Sequence, residues 1–145
     1  MSDTSLPEDT RPLTVVRGDG VEETWTLTVV EGDDDCLLRL EDLTGSAWEA
    51  TDFTVWHALG ALRAQLDPVG VRLCCQGARI DAYVSGMSVS MSDGWLAYIL
   101  RSWRQPRSRD LVNVLDPAPL RKIGTVAEQA QYFERWANRS WARII

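Results

Sequence analysis

The chain has little of what common catalytic and metal sites are built from. Its 145 residues include one histidine (His57), three cysteines, and a single lysine (Lys122) among 15 Lys and Arg residues. Nucleophilic chemistry of the Ser–His–Asp or Cys–His kind needs a histidine in a cleft beside its nucleophile. Helical spacing instead sets His57 about 200° around from Val55, on a polar face where it is expected to be solvated. Structural zinc wants four Cys or His ligands at spacings such as C-x-x-C. The one close pair here, Cys74 and Cys75, is vicinal. On a strand its side chains point to opposite faces, so one thiol is read as core and the other as lying on the far face. Neither a G-x-G-x-x-G nor a G-x-x-x-x-G-K-[ST] motif is present. The run Asp33-Asp34-Asp35 lacks the rest of a calcium loop. No cofactor, no metal and no enzymatic activity are expected. No apolar run approaches the roughly 20 residues that span a bilayer. The polar, acidic start MSDTSLPEDT does not read as a signal peptide. An odd number of cysteines, two of them adjacent, suits reduced thiols in a cytoplasm.

What is present describes one folded unit. Hydrophobic residues make up 45% of the chain and charged residues 25%, enough for a packed core. Residues 1–10 are expected to be a disordered lead-in, and 11–145 a single domain. The net charge of −6 conceals an asymmetry. Residues 1–100 hold 17 acids against 6 arginines, whereas residues 101–145 hold 4 acids against 9 basic residues. Duplex affinity comes largely from phosphate neutralisation, so the acidic body argues against direct nucleic-acid binding and suits a basic protein partner.

Periodicity then sets the elements. LTVV (13–16), the alternating ETWTLTVVE with Trp25, Leu27 and Val29 on one face, and CLLRLEDL (36–43) read as an antiparallel meander broken at Gly18-Asp19-Gly20 and at 32–35. Residues 44–51 read as a connector with Trp48 half-buried. Asp52 is the expected N-cap of a helix over 53–66, whose stripe is Val55, Leu59, Leu62 and Leu66. VRLCCQ (71–76), WLAYILRSW (95–103) and LVNVL (111–115) read as strands. Residues 77–94 read as an ordered loop with room for a strand at 80–84. Thr125 and Glu128 form a capping box. It opens a helix whose stripe is Val126, Ala130, Phe133, Ala137, Trp141 and Ile144, with Tyr132 and Trp136 on its flank. The fold class is therefore α+β: an antiparallel or mixed sheet of six or seven strands, with two helices on one face.

Between Trp56 and Thr125 the residues Trp56, Cys75, Gly77-Ala78-Arg79, Asp81, Ser85-Gly86-Met87, Met91 and Tyr98, followed by TVAEQ, form a recognisable series. It resembles a group of small bacterial immunity proteins encoded beside Rhs-type and other polymorphic toxins. Val84 stands where that group has proline, and Ser92 where it has glycine. The resemblance covers about half of the chain; a monomer or weak dimer is expected because no metal or cofactor ligand set is present. Such a protein is expected to bind a cognate toxin and occlude its active site, and the acidic body suits a basic, nucleic-acid-attacking toxin such as a nuclease or deaminase domain. Candidate partner-binding residues are Asp33, Asp34, Asp35, Arg79, Asp81, Ser85, Met87, Met91, Tyr132 and Trp136. The alternative reading is a small-molecule-binding or regulatory domain using the 77–94 loop.

Overall fold

The computed structural model describes residues 8–101 and 105–139. Strict alternation governs its first half. Strands β1 (Glu8–Val16), β2 (Glu22–Glu31), β3 (Cys36–Glu41) and β4 (Ala47–Asp52) run as an antiparallel meander, and β5 (Arg72–Leu73) joins beside β1. The sheet order is β4-β3-β2-β1-β5. The register sets Leu27 opposite Leu40 and Val29 opposite Leu38, so one face is continuously apolar. Leu13, Val15, Trp25, Leu27, Val29, Leu38 and Leu40 are all buried on it, while Thr24 and Thr26 look out to solvent.

The first strand begins at Glu8, inside the segment expected to be a lead-in, and residues 1–7 lie outside the described residues. The connector expected at 44–51 is largely strand β4. Only two of its side chains turn inward, Ala50 and the half-buried Trp48, and the indole of Trp48 stacks on Trp25 at 5.4 Å and 4°.

Helix α1 (Val55–Leu66) lies on the apolar face, and its stripe Val55, Leu59, Leu62 and Leu66 is buried as the spacing requires. Its N-cap is Thr54 rather than Asp52. Asp52 is held at the end of β4 opposite Cys36, and its carboxylate accepts from the Phe53 N–H at 2.8 Å.

The second half departs further from the expectation of one sheet with two helices. Strands β6 (Ala82–Tyr83), β7 (Leu96–Ile99) and β8 (Leu111–Asn113) form a separate antiparallel sheet in the order β6-β7-β8. Among the described residues there are thus two antiparallel sheets with eight strands, and three α-helices: α1, α2 (Gly86–Ser92) and α3 (Val126–Ala137). The expected loop at 77–94 contains α2. The expected strand at 71–76 shortens to β5 because the chain leaves the first sheet there. Cys75 bridges to Pro117, and the Ala118 N–H donates to the Cys74 carbonyl. That crossing segment covers the far side, so both thiols are buried instead of one.

Helix α3 begins as expected. Thr125 Oγ1 accepts from the Glu128 N–H, and the Glu128 carboxylate accepts from the Thr125 N–H at 2.8 Å. It docks by a rotated face, however. Ala130 is exposed, Phe133 is half-buried and Trp136 is the buried residue. The reason is polar. Gln129 Nε2 donates to the carbonyls of Gly77 and Arg79, and Trp136 Nε1 donates to the carbonyl of Arg101 at 2.8 Å. These hydrogen bonds, rather than the widest apolar stripe, choose the face. Trp141 and Ile144 lie outside the described residues, as does part of the strand expected at 95–103.

Candidate functional site

Two surface features gather most of the candidate residues, and α2 runs between them. The first is acidic. After β2 the chain turns at 32–35, closed by the Gly32 N–H on the Asp35 carbonyl at 2.9 Å, and Asp33, Asp34 and Asp35 all project into solvent. The α1 N-terminus lies beside this turn. Asp93, the left-handed C-cap of α2, accepts from the Val55 N–H at 3.2 Å. A Cβ at the next residue, Gly94, would overlap the Thr54 hydroxyl, so only glycine lets this turn sit on α1. Glu31, the three aspartates, Phe53 and Asp93 frame a hollow of about 190 Å³. Phe53 is 76% exposed there, unusual for a ring of its size. Met87 and Met91 share one face of α2, four residues apart, at 68% and 76% exposure.

His57 is at this end but is not free on a polar face. Its Nδ1 lies 2.7 Å from Thr54 Oγ1, and its ring meets Phe53 edge-on. The N-cap hydroxyl one turn earlier is what claims it.

The second feature is aromatic. Tyr83 and Tyr98 face each other across β6 and β7, and Leu111 follows on β8. Phe133 stacks on Tyr83 with centroids 4.3 Å apart, and Trp136 lies 6.0 Å beyond. Tyr83, Tyr98, Phe133 and Trp136, with Ser85, Met87 and Pro106, line an open cleft of about 420 Å³. Ser85 caps α2 through a reciprocal pair with Ser88: the Ser88 N–H donates to Ser85 Oγ, and the Ser85 N–H donates to Ser88 Oγ. Tyr132 stands to one side with the Arg135 guanidinium 6.0 Å from its ring.

The structure therefore brings Ser85, Met87 and Trp136 together at the cleft, places Asp33, Asp34 and Asp35 at the acidic turn, and leaves Met91 between them. Arg79 and Asp81 belong to neither. Their side chains form a two-pronged ion pair at 2.8 and 2.9 Å, and Asp81 is buried. Both groups are occupied by this pair. The preceding Gly77 is also structural, since a Cβ there would come within 2.6 Å of Leu59 and 2.9 Å of Val114. Sequence reasoning missed Phe53, Asp93, Tyr83 and Tyr98 as site residues. Only Tyr98 carried a signal, through the resemblance.

The remaining reactive groups are poorly placed for chemistry. Burial pushes the Cys36 thiol up to about 11, aided by the charges of Glu31 and Asp35. Burial likewise raises Cys75 to about 11 against the opposing pull of Arg63. Such thiols stay protonated near neutral pH and are weak nucleophiles. Arg63 is itself buried, and desolvation lowers its pKa. It is held by the Gly124 carbonyl at 2.8 Å and Gln129 Oε1 at 3.0 Å. Among the described residues no group of three or more His, Cys, Asp or Glu side chains is arranged to hold a metal, and no helix is long and apolar enough to cross a membrane. No protein-family model matches the chain, and no curated protein matches it.

Proposed function

We propose that this protein is an immunity protein, acting in the cytoplasm as a monomer or weak dimer, that binds a basic toxin domain and blocks its active site. The observation that carries the reading is the junction of charge and apolar surface at the α1 N-terminus. Asp33, Asp34, Asp35 and Asp93 line one hollow with Phe53, and Met91 is exposed on α2 two residues before Asp93. Specific interfaces join a few desolvated apolar anchors to a polar rim, and Phe53 and Met91 are anchors of that kind. Methionine also adapts to an irregular partner surface. Nucleic-acid-attacking domains need positive surfaces for their own substrate, and a cluster of carboxylates competes for that same surface. Occlusion asks no chemistry of the inhibitor, in keeping with the protonated thiols and the hydrogen-bonded histidine. The resemblance carried by Gly77-Ala78-Arg79, Ser85-Gly86-Met87 and TVAEQ points the same way.

Coexpression with the product of the neighbouring gene tests the reading. The two proteins are expected to copurify in equal amounts, and cells carrying both are expected to grow where the toxin alone kills. Unrelieved toxicity together with no copurification would reject it.

A further inference from the structure

We propose that the aromatic cleft binds single-stranded nucleic acid, with one base stacked at Tyr98 and the neighbouring phosphates held by the arginines around the cleft. This is independent of the immunity reading, which rests on the opposite end of α2. Bases stack on aromatic rings exposed on a sheet face, and basic side chains alongside track the backbone. Tyr83 and Tyr98 are a directly paired cross-strand couple on the three-stranded sheet. The ring of Tyr83 is already covered by Phe133, which leaves Tyr98 as the half-exposed platform. The cleft, at about 420 Å³, has the size of an ordinary ligand pocket, and its side chains carry no formal charge.

The charge lies just outside. Arg107 follows the lining residue Pro106, and Arg135 lies over Tyr132, next to the lining residue Phe133 on α3, whereas the guanidinium of Arg101 is paired with Asp110. Arg107 and Arg135 are exposed. The carboxylate on this side, Asp110, is buried and taken up by Arg101 at 3.4 Å and by the Arg107 N–H at 2.9 Å. The two features are separated by α2, whose seven residues span about 10 Å at 1.5 Å each. That is close to a Debye length of about 8 Å at physiological salt, so the aspartates are partly screened there, and none of them lines the cleft. An acidic peptide carrying an aromatic side chain is the competing occupant. Phosphates flank every base of a strand, which suits exposed arginines close to a stacking platform better.

The probe is a fluorescein-labelled ten-residue oligo(dT), titrated with the full chain at about 50 mM salt and read by anisotropy. Binding is expected, and it should weaken steeply as salt is raised. Tyr98→Ala should weaken it about five- to hundredfold, the range for loss of one stacked base, while Tyr98→Phe should stay within about twofold. Replacing Arg107 and Arg135 by alanine should weaken binding and flatten its salt dependence. Met87→Glu changes a mostly exposed side chain at the mouth, so it keeps the test available if Tyr98→Ala does not fold. It should weaken binding about tenfold by repelling phosphate. Absence of binding at millimolar protein would overturn the proposal, as would equal affinity in the wild type and the cleft variants. Tighter binding of a Glu- and Trp-containing peptide at the same residues would overturn it in favour of a protein partner.

Discussion

The first half of the molecule and helix α3 of the second are held by different forces, although Ala97, Val114 and Leu115 of the second half join the same apolar core. In the first, the five-stranded sheet and α1 close over side chains that are almost wholly apolar and buried: Leu27, Leu38 and Leu40 from the sheet meet Leu59, Leu62 and Leu66 from the helix. In the second, α3 buries one residue, Trp136, and reaches the rest of the fold through hydrogen bonds from Gln129 and Trp136 to backbone carbonyls. Apolar burial scales with area and leaves nothing over for a ligand. Directed polar contacts fix a helix while leaving rings such as Phe133 and Tyr98 half open. A small domain can thus concentrate stability in one half and keep adaptable surface in the other.

Substitutions in the two halves should differ accordingly. Leu62→Ala, at a fully buried position of α1, is expected to cost about 2–5 kcal/mol in urea unfolding, because it removes apolar contact and leaves a cavity. A loss below about 1 kcal/mol would mean that the first half is not the stability centre. Arg63 joins the halves, since it reaches from α1 to the carbonyl of Gly124 and to Gln129 on α3. Arg63→Ala strands that carbonyl and is expected to cost about 2–3 kcal/mol. Hydrogen exchange should show α3 loosening more than β2 and β3, and uniform loosening would deny the linking role. Phe133→Ala is expected to cost only about 1–2 kcal/mol, below the range for a fully buried phenylalanine, since its ring is half exposed. A cost equal to that of Leu62→Ala would erase the contrast between the halves.

The first half was largely legible in the sequence because its signals are local. Trp25, Leu27 and Val29 alternate with threonines, and Val55, Leu59, Leu62 and Leu66 repeat at helical spacing. The misses there are physical near-ties. Asp52 and Thr54 are both good N-caps, and β4 turns only Trp48 and Ala50 inward, too few to show a period of two. The second half was poorly legible because long-range contacts set it. α2, with the sequence GMSVSMS, has weak helix propensity. It is capped by a Ser85–Ser88 pair in place of the usual Glu or Gln partner. The docking face of α3 depends on carbonyls at Gly77, Arg79 and Arg101, which no helical period reveals. Arg79 and Asp81 stood out in the resemblance, but their pairing with each other is a local contact, two residues apart, that the resemblance does not show. Of the candidate site, the three aspartates could be read from turn chemistry alone. Phe53 and Asp93, which complete that end, come together only when α2 meets α1.

The central claim is that the acidic end meets a basic toxin, and association kinetics test it most directly. The chain with Asp33→Asn, Asp34→Asn and Asp35→Asn combined should be mixed by stopped flow with the product of the neighbouring gene, at low and high salt. The association rate at low salt is expected to fall about tenfold or more, with the dissociation rate changed less than about twofold, and added salt should shrink the difference. An association rate indifferent to both the substitutions and the salt would contradict the claim and leave the aspartates as solubilising surface.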